Sequence, residues 1–159
     1  MVTAILGVAL GRSWCASNAR NDIATMDFAK RTFLIAGIYG LVVLLPQYLL
    51  EAKNGRDFPP AITHPEYYYG FIGIAVAWQI AFLLMAKNPI RYRPMMIPAI
   101  IEKATFAIAV GVLFALNRVS LPMLGAGFVD LVLGALFILA YIWTRRFLLI
   151  DSAEVHKID

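Results

Sequence analysis

Four apolar runs dominate the chain, at residues 33–50, 69–86, 95–116 and 121–143, and the polar residues concentrate between them. Each run approaches the roughly 20 apolar residues that cross a hydrocarbon core about 30 Å thick. No water reaches the backbone inside that core, so every N–H and C=O must be satisfied within the segment, and the runs are expected to be helices. The pattern predicts an all-α polytopic membrane protein with an antiparallel four-helix transmembrane bundle over residues 30–146. Residues 147–159 read as a polar cytoplasmic tail. Residues 1–29 read as a cytoplasmic N-terminal segment, either a disordered lead or an overlong start, because Met26-Asp27-Phe28-Ala29-Lys30-Arg31 makes a natural beginning for a membrane protein.

Charge placement orients the bundle. The net charge is +4, but the basic residues flank the apolar runs instead of clustering on one polar element, which argues against nucleic acid as a partner. With four spans, Arg12, Arg20, Lys30, Arg31, Lys87, Arg91, Arg93, Arg145, Arg146 and Lys157 fall on one side, against Lys53, Arg56 and Arg118 on the other. That asymmetry predicts an inner-membrane protein with both termini cytoplasmic. Tyr48, Tyr67, Tyr68 and Tyr69 gather at the outer boundary and Tyr92, Tyr141 and Trp143 at the inner one. Amphipathic rings favour such interfaces.

The connections carry little chemistry. Residues 51–66 form the longest, with Asn54-Gly55 and Pro59-Pro60 as turn signals. Its Glu51, Asp57, His64 and Glu66 are candidates for an outer-loop site. Their spacing matches no closed metal-ligand set, so a structured cap over the bundle mouth is the expected role and no metal is expected. The second connection, Lys87-Asn88-Pro89-Ile90-Arg91-Tyr92-Arg93-Pro94, is basic and twice broken by proline. The third, Asn117-Arg118-Val119-Ser120, is short enough to make the last two helices a hairpin.

Within the spans, polar residues stand out because an ionisable side chain at the bilayer centre costs about 2.5–3.5 kcal/mol on insertion scales. The candidates for an intramembrane polar site are Asp130, Lys103, Glu102 and Gln79, with Tyr39 and Gln47 as milder cases. Ala126, Gly127 and Gly134 surround Asp130 at helical spacing, so its face is expected to meet another helix. Counted from the third turn, Lys103 and Asp130 differ by about four residues, or roughly 6 Å of helix rise, a gap that a lysine stem covers. The expected pair is primarily structural, fixing register between the last two helices. Glu102 has no obvious partner in the span, and Arg91 or Arg93 could reach it by snorkelling. Two acids against one base leave a surplus carboxyl, the minimal requirement for proton coupling.

Several chemistries are disfavoured. His64 and His156 both lie outside the spans, which argues against haem held within the membrane. Cys15 is the sole cysteine and cannot form an internal dithiol. There is no Gly-rich phosphate loop, and no histidine stands near the hydroxyls of Thr105 and Ser120. No cofactor is expected.

The segments H-P-E-Y-Y-Y-G-F (from His64), Trp78-Gln79, N-P-I-R-Y-R-P (from Asn88) and Ile101-Glu102-Lys103 together resemble small bacterial four-helix membrane proteins of uncharacterised function, over about residues 30–145. The resemblance implies the architecture and supplies no active site. The leading expectation is a non-catalytic subunit or accessory bundle whose partners are the lipid bilayer and another membrane subunit or a second copy. The alternative is a small proton-coupled carrier or small-molecule- or lipid-binding protein built on Asp130, Lys103 and Glu102. A wet cavity reaching Asp130 would favour the alternative, and a dry Lys103–Asp130 contact sealed by packing the former.

Overall fold

The computed structural model describes residues 2–155, with side chains from Asp22 to Arg145 and at Phe147; His156 and Lys157 lie outside the described residues. Five helices follow one another without a strand among these residues: α1 (Val2–Leu44), α2 (Glu51–Asp57), α3 (Pro65–Lys87), α4 (Met96–Ala115) and α5 (Leu121–Val155). Short 3-10 turns at Leu45–Leu49 and Arg93–Met95 continue α1 and lead into α4. Asp22–Leu49, Pro65–Lys87, Arg93–Ala115 and Leu121–Arg145 are long and apolar enough to cross a membrane. The chain is a multi-pass membrane helical bundle.

The first helix extends well upstream of the apolar run at residues 33–50. Asp22, Asp27, Lys30 and Arg31 precede the run, yet Thr25, Ala29, Thr32, Phe33 and Ala36 are buried at helical spacing. An amphipathic stripe therefore extends the helix where continuous hydropathy does not. At the other end Pro46 has no N–H to donate, and the α-helix gives way to the 3-10 turn.

The turn between α4 and α5 is closed by Asn117, whose φ of 55° is left-handed. Arg118 N–H donates to Leu113 C=O at 2.8 Å and Asn117 N–H to Phe114 C=O at 2.9 Å, the paired bonds of a Schellman motif. Asn is one of the few non-glycine residues that adopt this conformation readily.

The helices pack as two pairs: α1 lies along α3 and α4 along α5. Contact between α1 and α5 joins the pairs, while α3 and α4 barely touch. The core gathers in the half of the bundle nearest the termini. There Phe33 and Phe137 stack with centroids 4.5 Å apart, and Phe82 meets Phe137 edge-on at 5.0 Å. Ala29, Ala36, Ala86, Ala99 and Ala140 surround this aromatic cluster, short side chains that let the helices approach. Arg93 locks the second connection to α5, donating from Nη2 to Tyr141 C=O at 3.0 Å with its guanidinium 3.8 Å from the Tyr141 ring centroid.

Candidate functional site

Beyond the aromatic cluster, toward α2, the bundle is not filled. A cavity of about 430 Å³ lies between the two helix pairs and is lined from all four spanning helices. Most of its wall is apolar or aromatic, including Val43, Phe71, Ile74 and Phe106. Phe71 and Phe106 stack across the sparse α3–α4 boundary with centroids 6.3 Å apart, and Phe71 is exposed.

The polar residues collect at the deep end. Lys103 is buried, with Nζ 3.2 and 3.3 Å from the two carboxylate oxygens of Asp130. It also lies 3.2 Å from Glu102 Oε2 and 3.4 Å from Oε1. The ammonium stands 5.5 Å from the ring centroid of Phe82, so the aromatic cluster forms the floor beneath the charges. A helix does not face residues i and i+1 toward one another. The contact forms because the long lysine stem swings back toward the neighbouring carboxylate, and three N–H donors let one ammonium serve two acids.

Glycines make the arrangement possible. A Cβ on Gly134 would lie 3.4 Å from Lys103 Cβ, and one on Gly127 would lie 2.9 Å from Val110. These two positions let α5 seat against α4. Gln79, buried on α3, donates from Nε2 to its own Ala75 C=O at 3.0 Å. Its Oε1 would be 2.1 Å from a Cβ on Gly40, so only glycine leaves room for the amide against α1.

Asp130, Lys103, Glu102 and Gln79 all line this one cavity, together with Tyr39. Glu102 departs from expectation: its partner is Lys103, while Arg93 is committed to Tyr141. Pairing each base with one acid is what hid this, because lysine can bridge two. Gln47 stands elsewhere, in the network that fixes α2. Asn54 Nδ2 donates to Gln47 Oε1 at 2.7 Å and to Tyr68 Oη at 2.8 Å, and Tyr68 Oη donates to Gln47 C=O at 2.7 Å.

The four outer-loop candidates do not converge. Glu51 accepts from Tyr69 Oη at 2.7 Å, Asp57 pairs with Lys53, and His64 Nδ1 meets Glu66 Oε1 at 2.9 Å. These are three separate local contacts, and among the described residues no group of three His, Cys, Asp or Glu side chains could hold a metal ion. The loop is held in place at its ends: α2 is tied to the ends of α1 and α3 through Glu51–Tyr69 and the Asn54 network.

Comparison with family models, curated proteins and solved structures finds no match to this chain. The site therefore speaks through its own chemistry. Thr105, which lines the cavity, donates its hydroxyl to Glu102 C=O at 3.0 Å. The arrangement offers what a binding pocket needs: an apolar enclosure with a few convergent polar groups at one end.

Proposed function

We propose that this chain is a membrane-embedded binding protein for a small amphipathic molecule. The observation that carries the reading is the cavity of about 430 Å³ whose deep end holds Lys103, Asp130 and Glu102. Its volume falls within the range of about 300–1,000 Å³ common to small-molecule sites. A structural ion pair alone needs no cavity beside it, and packing would stabilise the bundle more if the space were filled. The apolar wall suits a hydrocarbon or aromatic body, and the polar end suits a head group. The sparse α3–α4 boundary gives a membrane-dissolved ligand a route to the site. The protein sits in the inner membrane with both termini cytoplasmic, and the α2 end faces outward. If the bundle carries its ligand across, the surplus carboxylate supplies a site for coupled proton exchange.

The test uses Trp78, which lines the cavity. In a chain with Trp14→Phe and Trp143→Phe, reconstituted in nanodiscs, a brominated short-chain amphiphile should quench Trp78 saturably. Ala126→Leu, which places a larger side chain on the cavity wall, should abolish the saturable component. Quenching that rises linearly with bilayer concentration in both chains would refute the reading.

A second reading, an accessory subunit, draws on a shallow groove along α4 and α5 lined by Ala104, Ala107, Gly111, Gly125 and Gly127. A Cβ at Gly111 or Gly125 would meet nothing, so a further helix has room to approach there. Crosslinking through Gly111→Cys to a copurifying membrane subunit is the expected result under that reading, and a monomer free of partners would count against it.

A further inference from the structure

We infer that the ligand of this cavity bears a positively charged head, a reading that rests on the binding function proposed above. The argument begins with which atoms the cavity presents. Lys103 has a side chain only 7% exposed and its ammonium is already engaged by two carboxylates. Asp130 and Glu102 keep 16% and 23% of their side chains exposed, and both line the cavity. Carboxylate oxygens only accept hydrogen bonds when ionised, and Glu102 Oε2 is buried with no hydrogen-bond donor among the described residues, so the two acids are the groups with acceptor capacity left for an incoming head. An anionic head would have to displace one of them from Lys103, whereas a cation adds to the cluster without breaking a contact.

Charge points the same way. With both acids ionised, two carboxylates and one ammonium carry a net negative charge in a low-dielectric setting, where an added cation is held strongly and itself favours the ionised acids. The remaining wall agrees. Tyr39, Phe71, Trp78 and Phe106 surround the cavity, and aromatic faces attract ammonium groups through their ring quadrupoles. A neutral alcohol could use the acceptors but would gain nothing from the net charge or the ring faces. The fitted class is a lipophilic amine or quaternary ammonium.

The experiment compares three brominated decyl probes that differ only in head group: trimethylammonium, hydroxyl and sulfonate. Each is titrated against Trp78 emission in nanodiscs, in the starting chain and in Glu102→Gln and Asp130→Asn. Glu102→Gln is the safer variant, because it leaves the Lys103–Asp130 pair intact. Comparing each probe between chains cancels its own partition into the bilayer. The inference expects the trimethylammonium probe to weaken at least about tenfold in Glu102→Gln, with the alcohol unchanged. All three probes binding equally, with no response to either variant, would overturn the cationic class and leave the binding function standing. Tightest binding of the sulfonate, lost in Lys103→Gln, would overturn it in favour of an anion. Saturable quenching by none of the probes would remove the binding function itself.

Discussion

The half of the bundle near the termini and the half near α2 are made from the same four helices, yet one is filled and the other is open. In the first, Phe33, Phe82 and Phe137 interlock and alanines fill the spaces between them. In the second, glycines at 40, 127 and 134 bring helices close along its edges, and the remaining space stays empty. The difference teaches where stability and chemistry reside. Lipid is as apolar as leucine, so helix association in a membrane relies on packing and polar contacts. The filled half supplies the packing. The open half places its polar contacts around a cavity, an arrangement that lowers stability and gains a site.

The largest effect should come from the filled half. Phe137→Ala removes the ring that both Phe33 and Phe82 contact and should cost about 3–5 kcal/mol, the range for aromatic truncation in a packed core. Unfolding in mixed micelles with increasing SDS measures it. A loss under about 1 kcal/mol would mean that the aromatic cluster does not anchor the bundle, and the contrast between the halves would fail.

An intermediate effect is expected where the halves meet. Gly40→Ala puts a Cβ against the Gln79 amide, which must swing out and give up its bond to Ala75. The cost should be about 1–2 kcal/mol. Gly111→Ala, at a position where a Cβ meets nothing, should instead gain up to about 1 kcal/mol in the same assay, because alanine favours the helix over glycine. The same gain at both glycines would show that helix propensity, not the seating of Gln79, governs position 40.

Much of this was legible in the sequence, for reasons that also explain what was not. The spans were legible because length and hydropathy are properties of a segment alone, and α4 matches its apolar run to within a residue at each end. The proximity of Lys103 and Asp130 was legible because the short Asn117 turn fixes the register of α4 against α5, so helix rise becomes a ruler. The packing of α1 ahead of residue 33 was not legible from apolar runs, since Thr25 and Ala29 are buried on a stripe that charges interrupt. The bond from Lys103 to Glu102 depends on a side-chain conformation, which residue spacing does not encode. The cavity was hidden for a deeper reason. It exists because α3 and α4 barely touch, and a gap between helices is set by how four faces pack together, not by any one of them.

The smallest stability effect tests the open half most sharply. Ala126 lines the cavity and is exposed, so Ala126→Leu adds apolar volume on the cavity wall. Filling a void of this kind should leave stability unchanged or raise it by up to about 1 kcal/mol, because new contacts replace none. Measured beside ligand quenching of Trp78, the same substitution should eliminate saturable binding. A more stable chain that no longer binds would show that the cavity is kept open at the expense of packing, as a site for a ligand requires. A destabilised chain that still binds would place the ligand elsewhere and reduce the cavity to a packing imperfection between two helix pairs.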